Sequence, residues 1–250
     1  MFNLNQGLLM YLFGELHLAT EEWQITLTKT AFVLVSLITA YFLGSINSAI
    51  IVSKTLYGDD VRNHGSGNAG LTNVLRTYGA KAALLTLFGD IMKTVIAVCI
   101  PGILLGFYYT NGVSTGEGYC YLAGLFAVIG HVFPIYYKFK GGKGVLTTAT
   151  MALVLSPIPF LLLLLVFIVI VAATKYVSLG SVTAVGLYPV LMHAYYSFAF
   201  NGKMHGLTAF ALIFIAILII WCHRGNLSRI SNRTERKLSF KKKSKDAKED

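Results

Sequence analysis

Lys138-Phe139-Lys140-Gly141-Gly142-Lys143-Gly144 separates two apolar stretches, 119–137 and 145–172. Three lysines and three glycines at such a seam read as a short aqueous loop between two membrane segments. Glycine lets backbone N–H groups turn toward an anion, and lysine adds the charge. A second loop of this kind, His64-Gly65-Ser66-Gly67-Asn68-Ala69-Gly70, lies in an equivalent place. Two phosphate-shaped loops at membrane ends point to chemistry on a phosphorylated substrate at a bilayer surface.

Composition agrees with this reading. Of 250 residues, 55% are hydrophobic and 13% charged, whereas a soluble domain carries about 25% charged residues. The chain reads as an all-α integral membrane protein. Cys99, Cys120 and Cys222 are odd in number and form no CxxC, so neither a disulfide framework nor a zinc site is indicated, and buried inert thiols are expected. No basic n-region or small-residue cleavage pattern opens the chain, so no removable signal peptide is expected. The net charge of +10 is concentrated late, in Arg224, Arg229, Arg233, Arg236, Lys237, Lys241, Lys242, Lys243, Lys245 and Lys248. A basic run is generically a nucleic-acid ligand. Beside a membrane segment it is better read as a topology signal attracted to anionic lipid, so no nucleic-acid partner is expected.

Apolar segments occupy 31–52, 82–106, 119–137, 145–172, 177–200 and 207–222, against about 20 residues for a spanning helix. The loop 107–118 has no lysine or arginine, and the stretch before Ala31 has only Lys29 against Glu15, Glu21 and Glu22. Both are assigned outside. The basic loops within 62–81 and 138–143 are assigned to the cytoplasm. An even number of crossings must then join Lys143 to the basic tail, yet three segments are visible. Pro157 and Pro159 predict a break in 145–172. The split gives about seven transmembrane helices, N-terminus outside and C-terminus cytoplasmic. The first half would then be a short, broken or buried helix. Three divisions follow: an extracytoplasmic segment 1–30, a membrane domain 31–237 and a charged tail 238–250. Residues 7–18 are a candidate interfacial helix.

Three constellations carry candidate chemistry. In the first, small residues lead into a helix expected near 71–76. Ser66, Asn68, Thr72 and Asn73 are neutral donors there, and Arg76 can hold two phosphate oxygens. A capped glycine turn is the plain alternative, but the density of donors favours a site. In the second, Gly141, Gly142, Lys143 and Gly144 follow His131. The Walker A pattern is absent, so ATP hydrolysis is not supported. Lys138 and Lys140 read equally well as topology signals, and Lys143 is the better phosphate ligand. The third is His223-Arg224-Gly225-Asn226 at the end of the last helix. Alone, His223 and Asn226 would read as helix caps, and Glu235 as structural. Asp90 and Lys93 lie three apart in an apolar segment, where charge marks a functional or supporting role, with mutual pairing the plain alternative. Ser178 and Ser181 share a spacing typical of helix-contact serines. There is no Gly-x-Ser-x-Gly elbow, no His-x-x-x-x-Asp pair and no metal-ligand spacing, and no cofactor is expected.

The chain resembles the acyl-phosphate:glycerol-3-phosphate acyltransferase family (PlsY) of bacterial membranes. The likeness covers roughly residues 43–237. It rests on Gly44-Ser45-Ile46, the stretch 64–76, Gly130-His131-Val132-Phe133-Pro134 with 139–144, Tyr176-Val177-Ser178-Leu179, and His223-Arg224-Gly225-Asn226. It implies transfer of a fatty acyl group from acyl phosphate to the sn-1 hydroxyl of glycerol 3-phosphate, giving lysophosphatidic acid and phosphate. It implies that Ser66 and Arg76 belong to an essential motif, and that Lys143 and its glycines bind glycerol phosphate. It places His223 and Asn226 in a third motif and Ser178 in a phosphate pocket. Leu71, Thr94 and Arg233 depart from the family pattern without loss of a donor. Such a reaction needs positioning and charge neutralisation more than a strong base. Direct transfer is expected, the proton going to a substrate phosphate, His223 or His131. The alternative is a transporter of an anion or organophosphate, which would need sites near the midplane and often inverted repeats.

Overall fold

The computed structural model describes residues 7–15, 21–106, 109–110, 113–200 and 202–238. Helices dominate: α1 (Glu22–Ser45), α2 (Ser48–Tyr57), α3 (Leu71–Tyr78), α4 (Ala80–Leu105), α5 (Thr115–Val132), α6 (Val145–Leu155), α7 (Pro157–Thr174), α8 (Val177–Phe200), α9 (Gly206–Cys222) and α10 (Arg224–Ser231). Tyr109–Thr110 and Val113–Ser114 form a minimal antiparallel hairpin between α4 and α5. Residues Gly7–Met10 and Tyr11–Glu15 are helical as expected, and Gly7 packs against the backbone of Gly106. The remainder of 7–18 and the tail beyond 238 lie outside the described residues.

Among the described residues, five helical stretches are long and apolar enough to cross a bilayer. They are α1 running on into α2, α4, α5, α7 and α8. A sixth is formed by α9 and α10, bent by 53°. The expectation of about seven exceeds this by α6. Its 11 residues reach about 17 Å, against a hydrocarbon core of about 30 Å. It carries buried Thr147, Thr148 and Thr150. Large apolar side chains such as Phe88, Leu161, Leu165 and Ile217 face outward, as they must where the surroundings are lipid.

Two helix breaks shape the interior. The prolines act as expected: α6 ends at Leu155, Ser156 leaves helical geometry, and α7 starts on Pro157. Proline at a first helical position loses no hydrogen bond there. The other break falls inside the segment 31–52, which reads from sequence as one continuous span. Ile46 and Asn47 are extended, and the Asn47 side chain accepts from Ile50 N at 3.1 Å to start α2. A helix-capping asparagine competes locally with the helix ladder, and its other face donates to Ala69 O at 3.2 Å.

Small residues bring α1 and α5 together. Ala40, Ala123 and Ala127 are fully buried. A methyl group on Gly44 would sit 2.2 Å from Ala127 O, and one on Gly130 2.3 Å from Tyr41 O. Backbones in such contact gain packing unavailable to larger residues in lipid. The second half of the chain builds a conventional core from α5, α6, α8 and α9, with Tyr121, Val128, Met151, Tyr188, Met192, Leu212, Ile215 and Ile219 nearly inaccessible.

Candidate active site

The first loop is wound around one asparagine. Asn73 Oδ1 accepts from Ser66 N at 3.0 Å, and its Nδ2 donates to the carbonyls of Val61, His64 and Asn68 at 3.0, 3.0 and 3.1 Å. The Asn73 amide is thus engaged within the loop rather than offered to a ligand, contrary to its expected role as a donor. Gly65 has φ +61 and its α-carbon lies against Asn73 Oδ1, a place where a side chain would be both strained and blocked. The bracing leaves Ser66, Asn68, Thr72 and Arg76 facing a cavity of about 690 Å³, with Ser66 Oγ and the Arg76 guanidinium unpaired among the described residues.

Arg62 locks this loop to the second one. Its Nε and Nη2 grip Asp60 at 2.9 and 2.7 Å, and its Nη1 donates to Tyr137 O at 3.2 Å and Lys140 O at 3.0 Å. The guanidinium holds the Asp60 carboxyl well below its usual range, at about 2. Arg62 and Asp60 were not legible as site-builders, because on sequence they are only two charges in a basic loop.

The glycines of the second loop do a different job from the one expected. Gly142 N donates to His131 O and Gly141 N to Val132 O, each at 3.1 Å. Those N–H groups cap the terminal carbonyls of α5, which otherwise lack partners, and are not presented to an anion. Both glycines also lie against His131: a methyl on Gly141 would meet its carbonyl at 2.0 Å, and one on Gly142 its Nε2 at 2.1 Å. Lys143 and Gly144 do line the cavity, together with Val145 at the N-terminus of α6. Unpaired N–H groups at a helix start favour an anion.

The third motif completes the wall. Lys143 Nζ donates to Asn226 Oδ1. Asn226 Nδ2 donates to Glu235 Oε1 at 2.6 Å, Ser178 Oγ to the same oxygen at 3.0 Å, and Arg229 Nε to Glu235 Oε2 at 2.7 Å. Burial pushes the Glu235 carboxyl up, but hydrogen bonds from Asn226, Arg229 and Ser178 outweigh it and bring the group below its usual range. Burial lowers the Lys143 ammonium from its ordinary value, with Glu235 opposing that shift. Asn226 lies in the first turn of α10 rather than at a helix C-terminus, so it is no C-cap. His223 does cap α9. Arg229 and Glu235 were missed as cavity residues; their closeness in sequence to the third motif was the available signal.

The two candidate imidazoles differ in bonding. His223 Nδ1 lies 2.8 Å from Ile219 O, so it carries the proton and Nε2 is the open acceptor. His131 Nδ1 lies 3.0 Å from Lys93 Nζ. An ammonium can only donate, so Nδ1 accepts and Nε2 carries the proton. His131 is therefore a donor and not the base that sequence left open. Asp90 and His131 reach the cavity wall, while Lys93, 2.7 Å from Asp90, sits behind it. The mutual pairing given above as the plain alternative for Asp90 and Lys93 is present.

Sequence reading did not foresee the other half of the cavity. An arm lined by Ala149 and Ala152 of α6, Phe160, Leu163 and Phe167 of α7, and Ala184, Val185 and Tyr188 of α8 runs inward from the polar end. Among the thiols, Cys120 is buried as expected, but Cys99 and Cys222 are only partly so. No group of histidine, cysteine and carboxylate side chains suited to a metal occurs among the described residues.

Helices packed for lipid around a polar pocket with an apolar arm define an integral membrane protein with a site for an amphipathic ligand, and comparison with known proteins makes the assignment specific. The family model described as Glycerol-3-phosphate acyltransferase matches residues 34–233. The chain belongs to that family. It is 41% identical over 205 residues to a glycerol-3-phosphate acyltransferase of Clostridioides difficile (strain 630), covering 82% of this chain and 95% of that one. It is 39% identical over 204 residues to the Bacillus subtilis (strain 168) protein of the same name, covering 82% and 96%. The crystal structure of PlsY (YgiH), an integral membrane glycerol 3-phosphate acyltransferase, in its glycerol 3-phosphate form, superimposes with a TM-score of 0.71 at 34% identity. That match covers 83% of this chain and 96% of that one.

The Asp60–Arg62 clamp has a pH signature. Because the folded carboxyl is held at about 2 rather than at the ordinary 3.8, its stabilisation is complete above about pH 5 and is lost as pH falls through 4 toward 2. Thermal unfolding of detergent-purified protein should show an acid limb in this window that is smaller in Asp60→Asn. An unchanged limb would remove the clamp from the stability of the site.

Proposed function

We propose that this chain transfers a fatty acyl group from acyl phosphate to the sn-1 hydroxyl of glycerol 3-phosphate, yielding lysophosphatidic acid and inorganic phosphate as an initial step of phospholipid synthesis. The observation that carries this reading is the two-ended cavity. Its polar end gathers donors from all three motifs, and its apolar arm suits a fatty chain. The proposed topology has about seven membrane segments, α6 being the short one, with the lysine-rich loops and the C-terminus in the cytoplasm and the N-terminus outside. Both phosphates would then sit at the cytoplasmic surface while the chain stays in the protein and bilayer.

In the proposed mechanism, Lys143 and Ser178 bind phosphate oxygens with Arg76, Ser66 and Thr72 across the cavity. Asn226 aligns Lys143, and Asn68 and Gly144 complete the wall. The glycerol hydroxyl oxygen attacks the acyl carbonyl carbon, the bond from that carbon to the phosphate oxygen breaks, and phosphate leaves with the electron pair. The hydroxyl proton passes to a substrate phosphate oxygen. His223, through its open Nε2, accepts a hydrogen bond from the attacking glycerol and orients it. Fixed donors aimed at developing charge supply much of the acceleration in such sites. Ser66 donates to phosphate and is not acylated. Its backbone N–H is fixed on Asn73, and no base lies within hydrogen-bond reach of its hydroxyl among the described residues.

Three outcomes are expected. Purified protein should convert labelled glycerol 3-phosphate and acyl phosphate to lysophosphatidic acid, and Lys143→Ala should raise KM for glycerol 3-phosphate by roughly tenfold, as for a lost charged hydrogen bond. An unaltered KM would take Lys143 out of binding. Ser66→Ala should slow turnover, while rapidly quenched wild-type protein exposed to acyl phosphate alone carries no acyl adduct on the Ser66 peptide. A stoichiometric adduct discharged by glycerol 3-phosphate would replace direct transfer by an acyl-enzyme. In a cysteine-free background, Lys54→Cys and Lys140→Cys, both exposed, should resist impermeant thiol reagent in intact cells while Glu22→Cys reacts; the opposite pattern would invert the topology.

A further inference from the structure

The apolar arm ends abruptly. Along α8 the cavity is lined successively by Ser178, Ser181, Val185 and Tyr188, and by nothing later on that helix. Its last contributor from α6 is Ala152, and its first from the antiparallel α7 is Phe160. All three helices therefore stop lining it at one level. Below that level Met192 and Tyr121 are packed shut, at most 1% exposed. From Ser178 to Tyr188 is ten residues, about 15 Å along a helix.

Tyr188 is fixed where it closes the arm. Its hydroxyl lies 2.7 Å from Ser156 Oγ, and Ser156 is the non-helical residue at the break between α6 and α7. The serine hydroxyl also donates to Ala152 O at 3.2 Å. Swinging the ring aside would take the tyrosine hydroxyl from its serine partner in an apolar interior, which costs more than the bond itself contributes. The helix break and the floor of the arm are thus one construction.

Resting on the proposed use of a fatty acyl donor in this cavity, we infer that Tyr188, held by Ser156, is the residue that sets the longest acyl chain the protein accepts efficiently. The methyl end of the chain abuts the ring. A longer chain must bend back or leave its last carbons outside the arm, and each unplaced methylene forfeits binding that would otherwise lower the barrier.

The test is the profile of kcat/KM across a ladder of saturated acyl phosphates of increasing length, with glycerol 3-phosphate as acceptor. Tyr188→Ala should raise the value for donors longer than the wild-type optimum by about tenfold relative to that optimum. Ala152→Leu, which fills the arm from the opposite wall, should move the optimum to shorter donors. Should Tyr188→Ala not fold, the Ala152→Leu profile decides alone. Active variants whose profiles coincide with the wild type overturn the assignment of Tyr188 while leaving the acyltransferase reading intact. A wild-type protein inactive with acyl phosphates of every length overturns that reading and the assignment together.

Discussion

A single ammonium group ties the first half of the protein to its site. Lys93 is buried in the membrane interior, where a charge persists only with close partners. It has three: Asp90 at 2.7 Å, the carbonyl of Ile46 at 2.7 Å and His131 Nδ1 at 3.0 Å. The Ile46 carbonyl is available because α1 breaks there, and Asn47 makes that break. The His131 ring, held in one tautomer by Lys93, is the surface on which Gly142 packs, while Gly141 lies against the His131 carbonyl. One interaction thus joins a helix break, two membrane helices and the loop that carries Lys143. Removing the ammonium would strand the Asp90 carboxylate, and broken buried pairs cost about 3–5 kcal/mol.

From this base the three loops are coupled pairwise by groups that satisfy backbone atoms as well as charges. Arg62 spans from Asp60 to the carbonyls of Tyr137 and Lys140, joining the first loop to the second. Lys143 reaches Asn226, joining the second to the third. Glu235 then draws Ser178, Asn226 and Arg229 to one point. Positioning is what the proposed transfer from an activated donor requires most, and here it comes from loops whose own hydrogen bonds are largely met internally.

Several of these features were legible before any coordinates. Lysine–glycine clusters between apolar runs marked the membrane class and the loops. Pro157 located the break beside Ser156 because proline's effect on a helix is local. The pairing of Asp90 and Lys93 was readable only as the plain alternative to a functional role, since three-residue spacing puts two side chains on one helix face without saying what they serve. The break at Ile46–Asn47 was not readable, since apolar composition runs unchanged through it and one capping asparagine carries the whole signal. The engagement of Asn73 and of the Gly141 and Gly142 N–H groups depends on which carbonyls lie nearby, and spacing does not report that. The apolar arm escaped for a related reason: Ala152, Phe160 and Tyr188 are ordinary membrane residues one by one, and only the packing of three helices leaves space between them.

Glu235 carries a consequence for the timing of turnover. Its carboxylate gathers Ser178, Asn226 and Arg229, with Lys143 one residue removed through Asn226. The donors are therefore ordered by an internal anion, and under the proposed function a phosphate entering the cavity competes with that anion for them. The same anion repels the newcomer and stays to reclaim the donors when it departs. Ground-state occupancy is held down on both counts, while the ordering is kept. Binding energy withheld from the resting complex is the kind that speeds a catalyst, and a negatively charged product leaves such a wall sooner than it would leave bare cations.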